Sequence, residues 1–200
     1  MTYIHIHNGT LIDGNGGDPI PNANVLIHNN RIVEVGTTIS SDAEDITHID
    51  AQGGYILPGL IDTHVHMMFE IAPLPLRVST PFSLNFFKAI QHMRRTLDAG
   101  ITTVRDAGGT DFGVKQAIET GLVEGPRMQI SISVLGITGG HTDNWNMSGI
   151  DTPFFPEYPG NPNGICDGVE EVRKKVREVL RAGAEVIKVC STGGVLSPTD

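Results

Sequence analysis

Up to about residue 57 the apolar positions alternate with polar ones in short runs: Tyr3 to His7, Leu11-Ile12, Val25 to His28 and Arg31 to Val35. A period of two marks half-buried strands, whose successive side chains point to opposite faces. Asn29-Asn30, between the last two runs, suits a tight hairpin turn. The stretch predicts a small antiparallel β-domain, sandwich-like, over residues 1–57. Gly14-Asn15-Gly16-Gly17-Asp18-Pro19 reads as a loop between strands, because no helical pattern follows it as a dinucleotide fingerprint requires.

Beyond residue 57 the pattern changes to strand, helix, strand. Leu60 to His64 predicts a first strand, entered through Pro58-Gly59. Ser83 to Ala99 predicts a helix with Phe86, Phe87, Ile90, Met93 and Leu97 on one face, ended by Gly100. Ile101 to Arg105 reads as a second strand, Phe112 to Thr120 as a short helix and Met128 to Leu135 as a third strand. Val169 to Ala182 is a strongly amphipathic helix stopped by Gly183, and Glu185 to Cys190 is a fourth strand. Repeated strand–helix units imply an α/β fold with a parallel sheet. Residues 58–200 therefore predict the first four β/α units of a TIM-type (β/α)8 barrel. A closed barrel takes about 250 residues, so the chain reads as the N-terminal half of a longer protein, ending in the loop at Ser197 to Asp200.

Composition narrows the function. Net charge is −9 with no basic cluster, which argues against nucleic acid as a partner. Two cysteines, Cys166 and Cys190, are too few for a disulfide framework and point to a reducing, cytoplasmic setting. The N-terminus has no signal-peptide pattern, and no apolar run is long enough to span a membrane. The expected partners are a small molecule or dipeptide and a second copy in a homo-oligomer.

The candidate chemistry begins at His64-Val65-His66. Two residues apart on a strand, both imidazoles point the same way at the end of a core strand and can share one metal ion. The chain carries its own control: His5-Ile6-His7 has the same spacing, and there two histidines on the solvated face of a half-buried strand is the simpler reading. What singles out the second pair is Lys188, set in the apolar run Val186-Ile187-Lys188-Val189-Cys190. A buried parallel strand is a costly place for its charge, so it needs a partner or must give up its proton. In a barrel, chemistry sits at the C-terminal ends of the strands. His64, His66, Arg105, Asp106, His141 and Lys188 all fall near such ends. Arg105 reads either as a clamp for a substrate carboxylate or as an ion-pair partner of Asp106. Asp106-Ala107-Gly108-Gly109 reads as a tight βα loop. Residues 136–164 form a long segment with Trp145, Phe154, Phe155 and Tyr158, read as an active-site loop. His28, His48 and His92 have no evident partners.

The element Pro58-Gly59-Leu60-Ile61-Asp62-Thr63-His64-Val65-His66, the preceding β-rich segment and Lys188 in Val186-Ile187-Lys188-Val189-Cys190-Ser191-Thr192-Gly193-Gly194 resemble the amidohydrolase superfamily. Ser133 to His141 and Ser191 to Pro198 resemble its imidazolonepropionase-related branch, which includes Xaa-Pro dipeptidases and ochratoxin-hydrolysing amidases. The resemblance implies two divalent ions, Zn²⁺ first among the candidates, with His64 and His66 on one of them. It implies a carboxylated Lys188 as the bridge between the two. It implies a metal-activated water that cleaves the C–N amide bond of a dipeptide or N-acyl amino acid. A cyclic amide or imidazolone is the alternative substrate, and an inactive fragment or non-catalytic relative the alternative role. His141 does not match the usual ligand set. Behind Gly139-Gly140 it is the candidate catalytic residue, donating a hydrogen bond to the scissile carbonyl.

Overall fold

The computed structural model describes residues 2–40, 45–153 and 156–193. Phe154, Phe155, the segment Gly194 to Pro198 and the chain end at Asp200 lie outside the described residues. The chain separates into two compact units, Met1–Gly59 and Leu60–Asp200.

The first unit is one sheet built from β1 (Tyr3–Leu11), β2 (Ile20–His28), β3 (Arg31–Gly36), β4 (Ile46–Asp50) and β5 (Tyr55–Ile56). The order is β3-β2-β1-β4, with β5 also paired to β1. Asn29 takes a left-handed φ of 55° in the β2–β3 turn, and β1, β2 and β3 are antiparallel neighbours. The sheet is not antiparallel throughout, however, and the described residues of this unit form no second layer. β4 and β5 both run parallel to β1, in register His5↔His48 and Leu11↔Ile56. Alternation says nothing of strand direction. The segment after β3 carries the chain to the opposite edge of the sheet, and a turn at Gln52 and Gly53 (φ 52° and 75°) lets β5 continue along β1 where β4 stops. Leu11, Ala23 and Val25 form the core, packed by Ile6, Ile27 and Ile56.

The second unit is α/β. It runs β6 (Leu60–Val65), α1 (Leu74–Ser79), α2 (Leu84–Asp98), β7 (Ile101–Asp106), α3 (Phe112–Glu119), β8 (Arg127–Ile130), β9 (Val134–Gly136), α4 (Gly168–Arg181) and β10 (Lys188–Cys190). β6, β7 and β8 form one parallel sheet in that order, and β9 and β10 a second parallel pair. Met93, Val104, Ile130, Ile132, Leu135 and Val179 lie in the core. Asp111 caps α3 by accepting from the Val114 N–H at 3.0 Å.

Three expectations are revised here. The third strand is broken: Ile132 has φ 63°, a conformation unfavourable for a β-branched residue, and divides β8 from β9. Its carbonyl accepts from the Gly109 N–H at 2.7 Å, so the break is tied to the loop after β7. The fourth strand has three residues rather than six, because the Glu185 N–H is spent on the Ile130 carbonyl before ladder pairing with β9 begins at Lys188. In α2, Phe86, Ala89 and Met93 face inward, whereas Phe87 is 65% exposed. At 3.6 residues per turn, Phe87 falls on the side opposite the stripe set by Ala89 and Met93.

Candidate metal and catalytic site

β6 delivers the histidine pair. His64 lies within the strand and His66 just past its last residue. The strand end is fixed by the His64 N–H, which donates to Asp62 Oδ1 at 3.0 Å. The two rings lie 5.3 Å apart, centroid to centroid, at 69°. His66 Nδ1 is 2.9 Å from the Gly108 carbonyl oxygen. A carbonyl only accepts, so Nδ1 carries the hydrogen, and the backbone sets the orientation of the ring. Gly108 and Gly109 (φ 142° and 97°) let the loop turn that carbonyl toward the ring.

Behind this contact lies Asp106, fully buried at the end of β7. Its carboxylate accepts from the Met67 N–H (2.7 Å), the Gly108 N–H (3.0 Å) and the Thr110 hydroxyl (2.6 Å). One side chain thus clasps both the residue after His66 and the loop that presents Gly108. Burial pushes the Asp106 carboxyl above its usual range, opposed by those three donors and by His66. The sequence marks Asp106 as a strand-end residue but not as the anchor of the histidine; an aspartate closing an apolar strand ahead of Gly-Gly-Thr is the signal. Arg105 makes no ion pair with Asp106 among the described residues; its Nε donates to Gln129 Oε1 at 3.1 Å.

Lys188 opens β10 and is half-buried, paired on one side only among the described residues. It lies within electrostatic reach of His64. Burial, then the Lys188 charge, then His66 hold the His64 imidazole below its ordinary value. His64 is therefore neutral at pH 7 and able to ligate. Among the described residues no three His, Cys, Asp or Glu side chains converge on one point. The donor set is two imidazoles with a lysine beside them. Imidazole suits a borderline divalent ion, and the backbone contact at His66 Nδ1 is the outer support such a ligand needs, so the residues present fit one side of a divalent site.

His141 sits in the turn after β9. Its Nδ1 is buried without a hydrogen-bond partner. The long loop does supply apolar wall. Tyr158 packs on Phe82 at 4.9 Å and on Phe86 at 6.1 Å, while Trp145 is 60% exposed. A cavity of about 540 Å³ opens between this loop and the segment after β6, lined by Phe69, Phe82, Tyr158, Arg77, Lys88 and Thr152 among others. Phe69, one of the lining residues, also stands edge-on to the His66 ring, centroids 6.2 Å apart. Lys88 is neutralised by Glu70 at 2.6 Å, and Arg77 donates to the Pro153 carbonyl at 3.0 Å.

The chain is similar to proteins of known function along nearly its whole length. It is 31% identical to an ochratoxinase of Aspergillus niger, with 98% of this chain and 43% of that protein aligned. A prolidase crystallised with N-methylphosphonate-L-proline superposes with a TM-score of 0.84 at 36% identity, covering 99% of this chain and 48% of the other. A Xaa-Pro dipeptidase with methionine in its active site superposes at 0.81 and 32% identity, covering 98% and 48%. The chain spans less than half the length of each. No helix among the described residues is long and apolar enough to cross a membrane. Residues 55–199, which hold the histidine pair, Asp106, His141 and Lys188, match the amidohydrolase family, and the chain belongs to that family.

Proposed function

We propose that the protein is a metal-dependent amidohydrolase that cleaves the C–N bond of a dipeptide or N-acyl amino acid. The observation that carries this reading is the His64–His66 pair, two imidazoles at one strand end with the His66 ring oriented by the bond from its Nδ1 to the Gly108 carbonyl. His64 and His66 would hold one divalent ion and Lys188 would stand between it and a second. Bound there, the ions supply Lewis acidity toward an amide carbonyl and an acidified water.

The chain's own residues do the rest. Lys188 takes up CO₂ on its neutral amine, forming the N–C bond of a carbamate and releasing one proton, which turns a neutral group into a two-oxygen anion. His141 holds a hydrogen bond unspent within the protein and offers it to the scissile carbonyl oxygen. Phe69, Phe82 and Tyr158 exclude water from the acyl side chain. The domain from residue 58 onward is, in this reading, part of a (β/α)8 barrel whose strand ends carry these groups. The ochratoxinase, prolidase and Xaa-Pro dipeptidase relatives support an amide linking an acyl group to an amino acid.

The test is hydrolysis of Xaa-Pro dipeptides and N-acyl amino acids by the intact protein, before and after chelation. Activity lost on chelation and restored by a divalent ion supports the proposal. Hydrolysis that survives complete metal removal overturns the metal role, and a metal-loaded protein inert toward both substrate classes overturns the substrate assignment.

A further inference from the structure

The first unit contains three histidines on one face of its sheet. His5 and His7 are two residues apart on β1, and His48 is the register partner of His5 on the parallel strand β4. The rings lie 5.2 Å apart for His5 and His7, 5.2 Å for His5 and His48, and 6.0 Å for His7 and His48. Asp50, the register partner of His7, adds a carboxylate to the same face. Only the pairing of β4 with β1 assembles this group, since His48 is far from the other two in sequence.

Within it two nitrogens converge. His5 Nδ1 and His48 Nδ1 are 3.2 Å apart. Two nitrogens bound tetrahedrally to one Zn²⁺, each at about 2.0–2.1 Å, stand about 3.3–3.4 Å apart. The observed separation is close to that bite, and it is at the long limit for a hydrogen bond.

The proton on His5 is fixed by its surroundings. Its Nε2 is 2.8 Å from Asn24 Oδ1. The Asn24 amide nitrogen donates to the carbonyls of Thr37 (3.0 Å) and Asn22 (3.3 Å). Both are pure acceptors, so the amide cannot be flipped, and the oxygen must face His5. His5 Nε2 therefore carries the hydrogen, and Nδ1 of the neutral ring carries a lone pair aimed at His48. An amide that holds the far nitrogen of a histidine and fixes its tautomer is the outer support found at metal-ligating histidines.

We propose that His5 and His48 form a second divalent-ion site, separate from the candidate hydrolytic site, which takes a borderline ion of the Zn²⁺, Ni²⁺ or Cu²⁺ class through the two Nδ1 atoms. In the present rotamers the site is a two-nitrogen chelate. His7 lies on the same face, its ring 5.2 Å from that of His5 and 6.0 Å from that of His48, and Asp50 lends the face a negative charge. When the ion binds, the only proton to move is one on His48 Nδ1, which either passes to Nε2 of the same ring or leaves for solvent.

The test uses the intact protein labelled with ¹⁵N-histidine, carrying His64→Ala and His66→Ala so that the first site is silent. Zn²⁺ titration should move the Nδ1 resonances of His5 and His48 together, while His5 Nε2 keeps its proton. His48→Ala should abolish the response. Asn24→Ala should weaken binding by roughly 10–100-fold, the range for losing a ligand's outer support. Each variant can be checked for retained fold by its amide spectrum. If Zn²⁺ leaves the His5 and His48 resonances in place, the close contact is an ordinary N–H···N hydrogen bond and the proposal is wrong. Binding that survives His48→Ala contradicts it equally.

Discussion

Two H-x-H pairs stand in this chain, and their internal geometry is nearly the same: ring centroids 5.2 Å apart for His5 and His7, and 5.3 Å for His64 and His66. Spacing on a strand fixes that distance and nothing more. What differs is the support. His66 is held by a backbone carbonyl, which is in turn held by a fully buried aspartate. His5 is held by the side-chain amide of Asn24 on a partly buried sheet face. The cation beside the second pair is Lys188; the first pair has a third imidazole there instead. The lesson is that the groups behind a histidine, more than the motif, decide which nitrogen it offers and how rigidly.

The largest effect expected from this contrast is structural. Asp106→Ala leaves the Met67 and Gly108 N–H groups and the Thr110 hydroxyl buried without their acceptor. At roughly 1–3 kcal/mol per stranded buried group, the loss should be at least about 3 kcal/mol. Asn24→Ala, at a partly buried position, should cost about 1 kcal/mol. Chemical denaturation of the two variants measures the difference, and equal losses would erase the distinction between the pairs.

Next comes activity. His66→Ala should abolish hydrolysis together with metal content, whereas His7→Ala should leave kcat and KM within about twofold of the parent. Elemental analysis beside a steady-state assay reads both. A third test concerns His141. His141→Ala should keep the metal and lose about 10²–10³ in kcat, the cost of one oxyanion donor. Unchanged kcat would return His141 to a loop residue, and loss of metal would make it a ligand.

The smallest effect is a titration. In the metal-free protein with Lys188 uncarboxylated, His64 should titrate below 6.5, and Lys188→Met, which removes the neighbouring charge, should raise its midpoint toward that value. Because the folded state holds the His64 value down, the unfolded chain binds the extra proton first. The His64 contribution to stability is thus full above 6.5 and is lost as pH falls toward the folded value. Histidine-resolved NMR from pH 8 to 5 checks the direction.

The parallel α/β order of the second unit was legible because apolar runs alternate there with amphipathic helices. The break at Ile132 was not, since no pattern predicts a left-handed isoleucine inside an apolar run. Nor was the parallel placement of β4 and β5, because alternation is blind to direction. At the site, the spacing of His64 and His66 and the oddity of Lys188 could be read directly. The Gly108 carbonyl and the burial of Asp106 could not, for they depend on how the loop after β7 folds back over the end of β6. His48 joined His5 by the same kind of long-range pairing.

The central claim is that His64 and His66 present a prepared pair of ligands to a divalent ion beside Lys188. Anomalous diffraction at the zinc edge, from crystals of the intact protein grown with Zn²⁺, tests it most directly. The account predicts a peak within bonding distance of His66 Nε2 and of His64, with His66 Nδ1 still donating to Gly108. A zinc peak reached through His66 Nδ1, or no peak at this pair, would contradict it.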